Sequence, residues 1–232
     1  EEKLRESKPD VVYVQQEIGC AITSSALAIA QELQAKACVF VWENLRPLTP
    51  EQELLLGQFD LAVCGNDRAL AIHAKAKKSV ILPQVGVDTD HFQARPGVER
   101  SIDVAFFGRP VPEKGINVLM SAWPTAKLSS WTEWKQLPWA YSQAKVVVAH
   151  SIDTPFWHEQ AMPYVAVEAM ATGCAAVVSD GGAIPFWLCG GFAEGCPGIT
   201  LAPQQDVEGL RNAIASALAD WAEWMSESPD SP

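Results

Sequence analysis

Short uninterrupted apolar runs, separated by helical stretches, constrain this chain more than any other feature. Residues 11–16, 38–42, 61–64 and 79–82 are each of strand length, and 22–33 has the apolar spacing of an amphipathic helix. A strand that reads as a continuous Val-rich run is buried on both faces, and helices must cover it. The pattern predicts an α/β class with parallel sheets. Local signals agree: Thr49 stands before Pro50 as the N-cap of a short helix, and Asn66 caps a helix that the pattern carries to residue 77.

The alternation resumes further on. Strands are predicted at 103–107, 145–150, 175–179 and 199–202, and helices at 113–122, 140–144, 163–172 and 206–224. Residues 83–102 carry Pro83, Gly86, Pro96 and Gly97 among mixed charges, which marks a linker. Two α/β halves follow, a reduced one at 1–92 and a larger one at 93–232. Within the second, 123–139 reads as mostly irregular. Its tryptophans, Trp123, Trp131, Trp134 and Trp139, read as core or an interface patch rather than a stacking platform.

The 232 residues suffice for one large domain or two small ones. A net charge of −11 argues against unaided binding to nucleic acid or to an anionic membrane. Cys20, Cys38, Cys64, Cys174, Cys189 and Cys196 form no Cys-x-x-Cys pair, and Cys38 and Cys64 lie in strand runs as buried reduced thiols. The charged start from Glu1 to Glu6 has no signal-peptide pattern, and no apolar run approaches the ~20 residues of a membrane span. A cytoplasmic protein with no membrane association is the expectation.

Two stretches carry chemistry. In Phe107-Gly-Arg-Pro-Val-Pro-Glu-Lys-Gly115 a strand ends, Gly108 turns the chain, and Arg109 and Lys114 stand on a loop leading into a helix. Two cations beside free backbone N–H groups make a diphosphate-sized anion site. In the second stretch, Glu159 and Glu168 bracket the start of a helix that Gly173 ends, and a strand then runs into Asp180-Gly-Gly. The helix around Glu168 is apolar, so its carboxylate needs a partner: a ligand hydroxyl, Ser179 or a backbone amide. Paired glutamates also serve glycosidases as acid and base, but not beside an Arg/Lys anion loop. His150 and His158, with Asp153 or Glu159, are of metal-ligating type, but no spacing fixes a site, and a hydrogen-bonded cleft histidine is the favoured reading.

Together these residues resemble the retaining glycosyltransferases of family 4, whose GT-B fold has two Rossmann-like domains. Val85-Gly-Val-Asp-Thr-Asp-His-Phe92 is similar to the family's Asn-Gly-Val-Asp segment, 107–115 to its Gly-Arg…Lys-Gly loop, and 141–182 to its Glu…Glu-Ala-Met-Ala-x-Gly region. The resemblance implies transfer of a sugar from a UDP- or GDP-sugar to an acceptor, with retention and with no bound metal or cofactor. It implies that Gly108, Arg109 and Lys114 hold the donor diphosphate, that Glu168 binds the ribose and that Glu159 touches the sugar. The backbone amides of Gln160, Ala161 and Met162 would add to the phosphate site. Arg109, Lys114 and Glu159 are thus the catalytic candidates.

The chain also departs from the family. The glutamates are nine residues apart where the family has eight, and Ala161-Met162 stands for Phe-Gly. The span from Lys114 to Tyr141 is shorter than the family's, which predicts that a strand and helix are missing there, and 131–137 becomes the candidate for base contacts. In the reduced first half, Glu17, Glu43 and Asn44 are the candidate cleft residues, with Glu43 or Asn44 where the family has a histidine. The last helix is a candidate to pack back on that half. Alternatives are a non-catalytic nucleotide-sugar-binding module and a subunit completed by a partner chain, for which a homodimer is the simplest form.

Overall fold

The computed structural model describes residues 1–82, 86–189 and 198–227. The chain forms two compact units, Glu1–Gln84 and Val85–Pro232. Each is a parallel sheet covered by helices.

In the first unit, β1 (Val11–Gln15), β2 (Lys36–Val41), β3 (Leu61–Cys64) and β4 (Ser79–Ile81) lie in that order, all parallel. Helices α1 (Glu2–Ser7), α2 (Ala21–Glu32), α3 (Pro50–Leu56) and α4 (Asp67–Ile72) connect or flank them. Val12, Val14, Val39, Val41 and Ala62 meet Leu27, Leu56 and Phe59 in one buried cluster. Thr49 caps α3 in a reciprocal capping box with Gln52, and the Asn66 side chain accepts from the Ala69 N–H. Helix α4 ends at Ile72, five residues before the predicted end. The reason is tertiary: the Ser79 hydroxyl donates to the His73 carbonyl, and the Lys77 N–H donates to Phe59, which turns the chain back to the sheet.

In the second unit, β5 (Ile102–Phe107), β6 (Lys127–Ser129), β7 (Ala144–Ala149), β8 (Ala175–Ser179) and β9 (Ile199–Ala202) form a parallel sheet in the order β6-β5-β7-β8-β9. The sheet is covered by α5 (Ile116–Ala122), α6 (Leu137–Tyr141), α7 (Tyr164–Ala171), α8 (Ile184–Cys189) and α9 (Val207–Glu227). One face packs Val104, Phe106, Val146 and Val148 against Leu119, Leu210 and Ile214 of α5 and α9. The other packs Ala105, Phe107 and Val147 against Phe92, Tyr141 and Ala169. Phe92, expected at the end of the first half, is therefore buried in the second unit. Among the described residues, no helix is long and apolar enough to cross a membrane.

Several local expectations give way. The helix predicted at 113–122 is broken. Pro112–Lys114 is a 3-10 turn, Gly115 takes a left-handed φ of 64°, and only then does α5 begin. Strand β6 lies inside the stretch expected to be irregular; Lys127-Leu-Ser129 is too short and polar to signal a strand, and pairing with β5 makes it one. The helix expected at 140–144 sits at Leu137–Tyr141 instead, because Ala144 already pairs with Ile102. Of the four tryptophans, Trp123 packs on the α5–α9 core, while Trp131, Trp134 and Trp139 are exposed.

Arg100 fastens the edge of this sheet where the strands begin. Its guanidinium donates to the carbonyls of Ala144 at 2.6 Å, Tyr141 at 3.4 Å and Thr172 at 2.5 Å. These acceptors belong to the end of α6, the start of β7 and the end of α7.

Candidate functional site

Parallel strands bring their C-terminal ends to one edge, so Gly108, His150 and Asp180 follow β5, β7 and β8 on the same side. At this edge Lys114 is held by the tight turn before α5. A Cβ at Gly115 would collide with the carbonyl of His150 and come within 2.8 Å of its Nδ1. The anion loop therefore lies directly against the end of β7, and only glycine fits there with this φ.

Lys114 Nζ donates to Glu159 Oε1 at 2.7 Å, and Ser151 Oγ donates to the same oxygen at 2.6 Å. Nζ lies 3.5 Å from Ser151 Oγ and 4.5 Å from the centre of the Trp157 ring, a cation–π contact. Lys114 and Glu159 side chains are 29% and 13% exposed, so the pair is shielded yet reachable from solvent.

The Asp180-Gly-Gly turn supports this cluster. The Ala183 N–H donates to the Glu159 carbonyl at 2.8 Å, and the Gly182 N–H donates to Asp153 Oδ2 at 3.0 Å. Gly182 has φ 55°, and a Cβ there would strike the Glu159 backbone. The Ile152 N–H donates to the Glu113 carbonyl at 2.9 Å. Backbone contacts thus fix the Glu159 loop on one side and the Lys114 turn on the other.

Glu168 takes a different partner. Its Oε2 accepts the Tyr141 hydroxyl at 2.9 Å, not Ser179 or a backbone amide. Burial raises the Glu168 carboxyl above its ordinary value, against the pull of the Tyr141 hydrogen bond and the nearby His91. Burial also raises the Tyr141 phenol, and the Glu168 charge raises it further, so it stays a donor. Next to this pair, the His91 ring stacks on Trp134 with centroids 3.5 Å apart and bonds the Trp134 carbonyl at 3.0 Å. Phe92 lies between, with its ring centroid 6.0 Å from that of Trp134 and 6.2 Å from that of Tyr141.

Arg109 is exposed and, among the described residues, makes no side-chain hydrogen bond or ion pair. Met162 is buried among Ala149, Ala166, Val178 and Ile184, so its side chain belongs to the core. Among the described residues the Ala161 and Met162 N–H groups have no hydrogen-bond partner. Gln160 is exposed.

His150 is buried, and its Nε2 bonds the Pro203 carbonyl at 2.8 Å. Among the described residues no group of three His, Cys, Asp or Glu side chains is placed to hold a metal. In the first unit, Glu17 Oε1 accepts the N–H groups of Trp42 at 2.7 Å and Glu43 at 3.1 Å. Glu43 turns back to accept Leu45 and Arg46 N–H groups, and Asn44 is buried. Glu17 thus stiffens the turn after β2. Among described residues its Oε2 is buried with no partner, and burial raises its pKa. Ser151, Tyr141 and Trp157 were not singled out from the sequence, because nothing in a lone hydroxyl or ring marks its partner.

Residues 127–220 match the family described as Glycosyl transferases group 1. No curated protein sequence matches the chain. Among solved structures, sucrose-phosphate synthase from Thermosynechococcus elongatus is 16% identical over 95% of this chain and 71% of that one, with TM-score 0.63. Anabaena Alr3699/HepE in complex with UDP is 14% identical over 94% and 72%, with TM-score 0.70. The catalytic domain of starch synthase IV from Arabidopsis thaliana, bound to ADP and acarbose, is 13% identical over 97% and 69%, with TM-score 0.67. The fold is an α/β fold of two Rossmann-like halves, and it matches that of GT-B glycosyltransferases.

Proposed function

We propose that the chain is a retaining glycosyltransferase that takes a UDP- or GDP-sugar as donor and needs no bound metal. The observation that carries this reading is the Lys114–Ser151–Glu159 cluster at the strand ends, beside the unbonded Ala161 and Met162 amides. A lysine, two free N–H groups and an exposed arginine suit a diphosphate. The group 1 family match over 127–220 supports it, as do the UDP and ADP complexes among structural neighbours.

In this reading the diphosphate displaces Glu159 from part of the Lys114 charge. The bond between the anomeric carbon and the diphosphate oxygen breaks, and the electron pair leaves with the diphosphate. Lys114 and Arg109 stabilise that growing charge. The freed Glu159 carboxylate accepts from sugar hydroxyls, and Glu168, held by Tyr141, accepts from the ribose. The acceptor hydroxyl bonds to the anomeric carbon on the face the diphosphate leaves, and its proton passes to the departing phosphate. Orientation and electrostatics supply the acceleration. The free thiols of Cys38, Cys64 and Cys174 suit a reducing, cytoplasmic setting.

Calorimetry across UDP, GDP and ADP tests the donor site. At 100 times the dissociation constant, the matching nucleotide stabilises the fold by about 2.7 kcal/mol. Failure of every nucleotide diphosphate to raise the melting temperature would sink the proposal.

A further inference from the structure

Along the outer edge of the second unit runs a groove of about 540 Å³ that none of Arg109, Lys114, Glu159 or Glu168 lines. Its floor is Ala105 and Phe107 of β5, and its outer wall is β6. It extends from Ile102 to Phe107, the full length of β5, which at ~3.3 Å per residue is about 17 Å. That is long enough for several sugar rings in line and longer than one nucleobase needs.

Trp131 and Trp139 both line this groove, and they are 86% and 56% exposed. Each indole carries a large apolar face that water covers at a cost. Trp134, the tryptophan between them, has its ring stacked on His91. Trp131 and Trp139 have no aromatic partner among the described residues. Between and around them stand Gln136, Gln143 and Glu133, with Lys127 opposite in charge to Glu133. The lining is thus rich in groups that both donate and accept, and it carries no net charge.

That combination has a definite chemical match. A pyranose ring presents a weakly positive C–H face, which stacks on an indole, and an equatorial rim of hydroxyls. Primary amides meet neighbouring hydroxyls with one donor and one acceptor. A single lysine balanced by a glutamate does not suit a polyanion, and the polar side chains of Ser129, Thr132, Gln136 and Gln143 do not suit an apolar helix. We propose that this groove binds a neutral oligosaccharide through Trp131 and Trp139, at a site separate from the Lys114 cluster.

The test titrates malto-, cello- and chitotetraose into the full chain by calorimetry. It then repeats the titration with Trp131→Ala/Trp139→Ala and with Lys114→Ala. Both tryptophans are solvent-exposed, so the double variant keeps its melting temperature. The expected result is saturable binding of at least one series, weakened at least tenfold by the double variant and unchanged by Lys114→Ala. Binding lost with Lys114→Ala would place the saccharide at the cation cluster and overturn the proposal. So would binding indifferent to the tryptophans, or no binding by any series. If instead sedimentation shows self-association that the double variant abolishes, the groove is a contact between copies and the proposal is overturned. None of these outcomes depends on whether the chain transfers sugar.

Discussion

Lys114 Nζ and Glu159 Oε1 are 2.7 Å apart, and Ser151 bonds the same carboxylate oxygen. The lysine that would serve the leaving group is already neutralised before any donor arrives. The two residues therefore separate in their effects. Lys114→Ala should abolish most of the nucleotide-induced rise in melting temperature. Glu159→Gln should keep or tighten nucleotide diphosphate binding, since Lys114 gains a free charge, while transfer falls at least a hundredfold. Calorimetry with the nucleotide, set beside the transfer rate, reads the two apart.

Burial raises the Glu168 carboxyl, and the Tyr141 hydroxyl, which favours the charged form, offsets part of that rise. Tyr141→Phe should raise the Glu168 pKa further and cost about 1 kcal/mol of stability. Nucleotide affinity should then weaken as pH falls from 7 to 5 more steeply than in the parent, measured by calorimetry at each pH. Equal slopes would deny Glu168 a role as an ionised acceptor.

Gly115 sits at a left-handed φ against the His150 carbonyl. Gly115→Ala must shift that contact and adopt a strained backbone, at a cost of about 2–3 kcal/mol. Denaturant unfolding measures it. Gly97 also has a left-handed φ but open space around it, so Gly97→Ala isolates the conformational part of the penalty.

Burial holds His73 and His150 below the ordinary imidazole value. Below about pH 6.5 the unfolded chain takes up more protons than the native one. Stability is therefore full above that pH and declines as pH falls toward the lowered native values, by at most ~1.4 kcal/mol per unit for each group. Glu17 and Glu168 act oppositely at lower pH, because burial raises their native values and acid relieves them. His73→Leu should flatten the slope between pH 6.5 and 5.5 in denaturant titrations. An unchanged slope would contradict a neutral buried His73.

The strands and caps were readable because they are local. Val146 to Val148 and Val177 to Val178 cannot be anything but buried, and Thr49 and Asn66 announce their helices through side-chain chemistry. Strand β6 was not, since Lys127-Leu-Ser129 is a strand only by virtue of β5 beside it. The break at Gly115 depends on a neighbour thirty-five positions later, His150, and no local pattern carries that. In the site, the residue types of Lys114, Glu159 and Glu168 were legible, but their pairings were not. Tyr141 on α6 reaches Glu168 on α7, and Ser151 reaches Glu159 within the loop after β7; neither pairing is carried by a sequence pattern.

The Arg100 guanidinium gives its protons to the ends of α6 and α7 and to the start of β7 at once. Tyr141 is the last residue of α6, and Glu168 lies one turn before the end of α7. The arginine therefore pins together the two helices whose side chains meet in the Tyr141–Glu168 hydrogen bond. It lies where the strands begin, at the end of the sheet opposite the Lys114 cluster, so a survey of substitutions around that cluster would pass it by. Removing it would cost the ends of α6 and α7 a shared donor, and the Tyr141–Glu168 bond should weaken with it.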